Sequence, residues 1–244
     1  QKTPTLMHAD RNGFFYVLNR QNGKLLSAEP VVPVNWAKGI DMNTGMPIED
    51  PTKRPRLGVW ARNVCPNLIG GKNWEPMSYS PQTGLVYFPI HGTPFIYENP
   101  KSFNPVSMAT NTGADHSAMA TMDPADVLAR TFGRLIAWDP VTQKEVWRVE
   151  RAGQANGGAL ATAGGLVFQG TGSGEFTALD AANGKQLWSA QTQTGVIAAP
   201  MSYAIDGEQY VAIMVGTGSS WALIGGDSNM KGFKLPNISR LLVY

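Results

Sequence analysis

One cysteine, Cys65, is all that the 244 residues contain, so no disulfide can form within them. A lone thiol of this kind is expected as a small buried hydrophobe. Charge is sparse: 16% of residues are Asp, Glu, Lys or Arg, and the formal net charge is +2. No stretch forms a basic block, so there is no electrostatic footprint for nucleic acid. No apolar run approaches the ~18–20 residues of a membrane-spanning helix. The histidines, His8, His91 and His116, share no spacing that suggests a metal site. Amphipathic helical patterns are scarce. Only residues 123–129 read as a short helix, with Asp123 as cap and Pro124 at the first helical position. The opening Gln1-Lys2-Thr3-Pro4 has no apolar leader, as expected of a mature secreted chain or of a piece from a longer one.

Glycine, proline and tryptophan are abundant, at 27, 17 and 7 residues. This mixture predicts short strands joined by many turns, with large aromatics between them. With 43% hydrophobic residues, a sizeable core is available. Strands are expected over residues 13–18, 166–170 and 210–215, each β-branched or aromatic and bounded by turn residues. Asp206-Gly207 reads as a two-residue hairpin loop.

A unit repeats loosely along the chain. Ala178-Leu179-Asp180-Ala181-Ala182-Asn183-Gly184-Lys185-Gln186-Leu187-Trp188 matches Ala137-Trp138-Asp139-Pro140-Val141-Thr142-Gln143-Lys144-Glu145-Val146-Trp147, 41 residues earlier. Both have Ala-x-Asp, then Lys at the eighth place and Trp at the eleventh. A weaker copy runs from Val17 to Ser27, with Ser27 at the Trp place. Tyr79-Ser80-Pro81-Gln82-Thr83-Gly84-Leu85-Val86-Tyr87 is a further strand–turn–strand unit. In such a unit an Asp or Asn side chain sets a tight turn, Gly184 supplies the positive φ in the 178–188 copy, and the closing Trp needs a neighbouring unit to cover it. Full burial of an indole stabilises by roughly 4–6 kcal/mol as an upper bound. Units that cannot bury this surface alone come in rings. The fold class is therefore all-β, a β-propeller with about four blades in this chain. Residues 28–72 and 91–130 break the rhythm and are expected as long loops over one face of the ring.

These residues resemble a known family. The Ala-x-Asp-x-x-x-Gly-x-x-x-Trp pattern at 178–188 is similar to the tryptophan-docking signature of quinoprotein alcohol dehydrogenases. His8-Ala9-Asp10-Arg11-Asn12-Gly13-Phe14-Phe15-Tyr16-Val17-Leu18 resembles that family's strand facing the quinone. Gly71-Lys72-Asn73-Trp74-Glu75-Pro76-Met77-Ser78-Tyr79 resembles a second cofactor-contacting segment, and Gly195-Val196-Ile197-Ala198-Ala199-Pro200 a loop near the central channel. The resemblance covers essentially the whole chain and implies the C-terminal half of an eight-bladed propeller, residues 1–244 forming one partial domain. It implies oxidation of a small alcohol to an aldehyde by pyrroloquinoline quinone (PQQ) with Ca²⁺ or a lanthanide, in the periplasm, with electrons passed to cytochrome c. It places Arg11 at the quinone C4 and C5 oxygens, as an electrostatic catalytic group and cofactor contact. Asn73, Trp74 and Ile197 become further cofactor contacts.

The family's metal ligands, its base and its vicinal disulfide come earlier than the first residue here, so no metal ligand and no base is assigned. The partners implied are the N-terminal half of the propeller and a cytochrome c. Ser239-Arg240-Leu241-Leu242-Val243-Tyr244 resembles the strand preceding a haem c domain, although no Cys-x-x-Cys-His occurs in these residues. The isolated chain is expected to be inactive.

Other readings stay beside this one. The chain would also suit a non-catalytic propeller that docks proteins. A sugar hydrolase or lectin is weaker, because no carboxylate pair stands out. Trp147 and Trp188 are expected as packing residues, and Asp139 and Asp180 as turn formers. Asp10 is expected in an ion-paired or turn role. The eight glycines of residues 153–174 are expected in tight turns rather than in a phosphate loop.

Overall fold

A computed structural model describes residues 3–99, 101–108, 111, 121–217 and 235–244. In chain order the elements are β1 (Thr5–Ala9), β2 (Phe14–Asn19), β3 (Leu25–Pro30), β4 (Ala37–Ile40), β5 (Pro47–Glu49), β6 (Ala61–Val64), β7 (Ser78–Ser80), β8 (Leu85–Gly92) and β9 (Phe95–Tyr97). Next come the helix α1 (Pro124–Arg130), then β10 (Phe132–Asp139), β11 (Lys144–Arg151), β12 (Asn156–Ala161), β13 (Leu166–Thr171) and β14 (Glu175–Asp180). The last are β15 (Gln186–Gln191), β16 (Met201–Ile205), β17 (Glu208–Val215) and β18 (Arg240–Val243). The chain divides into two compact units, residues 1–71 with 92–130, and residues 72–91 with 131–244.

The second unit carries the repeat. Its sheets run β11-β10-β8-β7, β12-β13-β14-β15 and β16-β17-β18, and the strand pairs β7–β8, β10–β11, β12–β13, β13–β14, β14–β15, β16–β17 and β17–β18 are antiparallel. These are propeller blades. β8 is buried along its whole length, which is why Leu85-Val86-Tyr87-Phe88-Pro89-Ile90 reads as a continuous apolar run rather than an alternation. One cluster, including Tyr87, Leu135, Trp147, Val167 and Leu179, fills the space between the first two blades. Another, Phe176, Val196, Val211, Ile213 and Val215, lies between the second and third.

Trp147 is the keystone of the first interface. Its Nε1 donates to Ala181 O (3.0 Å), which also accepts from Tyr87 Oη (2.9 Å), and the two rings lie 5.6 Å apart. The indole rests on Gly184 of the next repeat, where a Cβ would sit 2.7 Å from Trp147 Cε3. The repeat thus links copies: the Trp of one lands on the Gly of the next. Trp188 makes T-shaped contacts with Tyr244 (4.9 Å) and Phe176 (6.0 Å) but stays 39% exposed.

The turn of the repeat recurs more often than the sequence pattern suggested. The residue four past the turn's start donates its N–H to the starting carbonyl at Asn19/Gly23, Asp41/Gly45, Ser80/Gly84, Asp139/Gln143 and Asp180/Gly184, over 2.7–2.9 Å. In all five the donor residue has φ between 55° and 74°. Asp139 and Asp180 are turn formers, as expected: Asp139 Oδ1 accepts from Val141 N and Thr142 N, and Asp180 Oδ1 from Ala182 N. Burial alone would raise the Asp139 pKa, but the Thr142 hydroxyl and these amides outweigh it and hold the carboxyl below its usual range. At the Asp206-Gly207 hairpin both residues have positive φ, 53° and 85°, as a two-residue loop of this kind requires.

In the first unit, β1-β2-β3 form a three-stranded antiparallel sheet. The interval 28–72 is not one long loop: it holds the hairpin β4–β5 around the Asp41/Gly45 turn, and β6, which pairs with β9 from the second interval. Proline and asparagine density marked the breaks but concealed these short strands. The helix expected at 123–129 is α1, one residue later, with Asp123 Oδ1 accepting from Ala125 N. Within 153–174 only Gly165 and Gly174 take positive φ in turns. Gly157, Gly158 and Gly170 lie in strands, where a Cβ would meet Ala198 O at 2.4 Å, Pro76 Cδ at 2.6 Å and Val196 Cγ1 at 2.1 Å. These glycines let neighbouring backbones touch.

Candidate functional site

Arg11 stands on the turn between β1 and β2. Asp10 builds that turn: its N–H donates to Phe14 O (2.9 Å), its carbonyl accepts from Gly13 N (3.2 Å) and its Oδ1 from Asn12 N (3.2 Å). His8 Nε2 lies 3.8 Å from Asp10 Oδ2. Asp10 therefore has the turn role expected of it. Asn12 fixes the strand beyond, its Oδ1 accepting from Phe14 N and its Nδ2 donating to Tyr16 Oη (2.7 Å), while Trp36 Nε1 donates to Asn12 O (3.0 Å).

A second turn grips Arg11 from the far side. Asn67 Oδ1 accepts from Ile69 N and Gly70 N, closing a loop whose Leu68 carbonyl accepts from an Arg11 guanidinium nitrogen at 2.5 Å. Gly71 N donates to Arg11 O (2.9 Å). At Gly70, with φ +89°, a Cβ would lie 2.5 Å from Arg11 O, so only glycine fits. The exposed guanidinium lines a cleft of about 480 Å³ within the first unit, shared with Asp10, Trp36, Lys53 and Tyr97. Tyr97 is pushed up to about 12, by burial first, against the opposing Arg11 cation. It remains a neutral donor at any physiological pH. Cys65, half-buried nearby in sequence, has its thiol pushed up by burial, against Arg130 and Lys53. It is a protonated packing residue rather than a reactive thiolate.

In the second unit an exposed Trp74 and a half-buried Asn73 rest on buried polar supports. Trp74 is 47% exposed, whereas Lys72, Glu75 and His91 are 5%, 1% and 1% exposed. Lys72 Nζ donates to Asn73 O (3.1 Å) and Glu75 O (2.6 Å), and Asn73 N donates to Glu75 Oε2 (2.9 Å). Ile197 is 3% exposed, so its side chain belongs to the core and any ligand contact there is made by main chain. His116 lies outside the described residues.

Among the described residues, no three His, Cys, Asp or Glu side chains gather in a way that could hold a metal ion. The cleft in the first unit offers hydrogen-bond donors suited to an anionic oxygen ligand. Arg11 and Lys53 are cationic, Tyr97 is a neutral phenol, and all three line one cleft. Of the residues the sequence motifs named, Arg11, Asn73, Trp74 and Ile197, only Arg11 lines this cleft, and the motifs did not point to Asn67, Gly70, Lys53 or Tyr97, which line it too. Asn67-x-x-Gly70-Gly71 is legible as a turn, yet its closure on a residue 57 positions earlier is not.

The family described as PQQ, the glucose/ethanol/alcohol dehydrogenase β-propeller domain, matches residues 41–211. The chain is 48% identical over 224 residues to a 1-butanol dehydrogenase (cytochrome c) of Thauera butanivorans, covering 87% of this chain and 31% of that protein. The solved quinohemoprotein alcohol dehydrogenase ADHIIG of Pseudomonas putida superposes with a TM-score of 0.89 at 38% identity, over 98% of this chain and 36% of the other. A europium-containing methanol dehydrogenase superposes with a TM-score of 0.84 at 33% identity, over 100% and 45%. The chain spans about a third of the length of the curated relatives it matches. With two-thirds of its residues inside the matched domain, the chain belongs to the PQQ β-propeller family of glucose, ethanol and alcohol dehydrogenases.

Proposed function

We propose that this chain is the C-terminal part of the catalytic propeller of a PQQ-dependent alcohol dehydrogenase, which oxidises primary alcohols to aldehydes. The observation that carries the reading is Arg11, gripped by the Asn67–Gly71 turn at a cleft with a second cation and a neutral phenol. A docking scaffold has no need of such a pinned cation. When bound, PQQ supplies the two-electron acceptor for the alcohol.

The chain's own part is positioning and electrostatics. A guanidinium such as that of Arg11 serves as a fixed donor to oxygens that gain negative charge rather than as a proton shuttle. Its backbone carbonyl and guanidinium are both tethered, which removes the need to reorganise during reaction. The exposed Trp74 offers an aromatic surface and Asn73 an amide at the second segment. A Ca²⁺ or lanthanide ion, the proton-abstracting carboxylate and the rest of the ring are assigned to residues outside these 244. Periplasmic location, and cytochrome c as the electron acceptor with haem c in a following domain or separate protein, complete the proposal.

The test is reconstitution of the full-length protein with PQQ and either Ca²⁺ or a lanthanide, followed by dye reduction with primary alcohols. Turnover that requires PQQ is expected. A correctly folded protein that binds no PQQ and oxidises no alcohol would refute the reading.

A further inference from the structure

The Lys72 and Glu75 side chains are buried in the second unit, and nothing in the proposed chemistry uses them directly. Buried polar groups are costly unless they are met by hydrogen bonds. Here the bonds go to one place. Glu75 Oε2 accepts the Asn73 N–H (2.9 Å) and Lys72 Nζ donates to the Asn73 carbonyl (3.1 Å), so both main-chain polar groups of Asn73 are held by buried side chains. Lys72 also donates to Glu75 O (2.6 Å), which closes the turn on itself. The other carboxylate oxygen, Glu75 Oε1, faces His91 Nε2 at 4.0 Å from the end of β8. Downstream the segment is fastened to β12, by Ala159 N donating to Pro76 O (3.0 Å) and Ala161 N to Ser78 Oγ (2.9 Å). Gly158 has no Cβ, which would otherwise meet Pro76 Cδ at 2.6 Å.

We infer that Glu75 and Lys72 are positioning residues that preform the Asn73–Trp74 turn for the quinone, by the reach of their side chains to the Asn73 backbone. The inference rests on the proposed quinone-dependent function. Its logic is preorganisation: a turn already held in shape loses little conformational freedom when a ligand settles on it. The effect belongs to reach rather than charge, because the acceptor at Asn73 N is one oxygen at one distance.

Two mild substitutions separate these ideas. Glu75→Gln keeps the length and an amide oxygen to accept from Asn73 N but removes the charge. Glu75→Asp keeps the charge but is one methylene short. PQQ is titrated into full-length apoprotein with Ca²⁺ present, and binding is followed by quenching of tryptophan fluorescence and by the absorption of the bound quinone. The expected result is affinity within about threefold of wild type for Glu75→Gln and at least tenfold weaker for Glu75→Asp, with amide hydrogen exchange at Asn73 accelerated only in the latter. Equal affinity in folded wild type and Glu75→Asp would overturn the inference while leaving the quinone reading intact. A larger loss in Glu75→Gln than in Glu75→Asp would also overturn it, since charge would then be responsible. A wild-type protein that binds no PQQ is a different failure: it sinks the quinone reading on which the inference rests.

Discussion

Replacing Gly184 by alanine tests how the repeat joins one blade to the next. Gly184 has φ +74°, and a Cβ there would lie 2.7 Å from Cε3 and 2.9 Å from Cδ2 of Trp147. That indole cannot swing away, because Nε1 is bonded to Ala181 O at 3.0 Å and the Tyr87 ring packs on it. Two costs therefore add. Holding an alanine in the left-handed region costs roughly 1–2 kcal/mol. Crowding a packed aromatic costs roughly 1–3 kcal/mol more. Gly84 in the same unit is the control: its φ is +71° and a Cβ there meets nothing within 4 Å. Gly84→Ala should cost only the backbone share. Urea unfolding of the full-length protein, followed by fluorescence, should show Gly184→Ala as the more damaging by roughly 1–3 kcal/mol. In a Trp147→Ala background the excess should vanish, since the crowded partner is gone. Equal losses at Gly184 and Gly84, or an excess that survives removal of Trp147, would refute the claim that Trp and Gly of successive repeats are one contact.

Trp147→Phe should destabilise by roughly 1–3 kcal/mol, because a smaller ring leaves space and the bond to Ala181 O is lost; the same urea titration checks it. Tyr97 gives a pH test. The unfolded phenol loses its proton near 10 whereas the folded one holds it to about 12. Stability is thus unaffected below pH 10 and falls as pH rises from about 10 to 12, by roughly 2–3 kcal/mol in all. Tyr97→Phe should remove that fall, measured as the difference between the two stability–pH curves. Arg11→Met should leave stability near wild type, since the side chain is exposed, yet weaken PQQ binding by roughly tenfold to a hundredfold, as loss of a charged hydrogen bond would. Equilibrium titration of the folded variant with PQQ decides it. Arg11→Lys should fall between the two, with the charge kept and the forked geometry lost.

The amino-acid sequence by itself determined the all-β class, the propeller repeat and the turns at Asp139 and Asp180, because each follows from local chemistry. An Asx side chain bonds two residues on, a glycine takes positive φ, and strands show in β-branched and aromatic runs. It also brought Arg11, Asn73 and Trp74 forward through short contiguous motifs. The tertiary structure decided everything that joins distant residues. It set Gly184 under Trp147, closed Asn67–Gly71 over Arg11, and used the strand glycines 157, 158 and 170 for backbone contact rather than turns. It paired β6 with β9 across an interval that reads as loop, and it left Trp188 less covered than its repeat partner. Local preference is written residue by residue, whereas a contact across 57 positions depends on the whole chain having folded, and no window of the sequence contains that information.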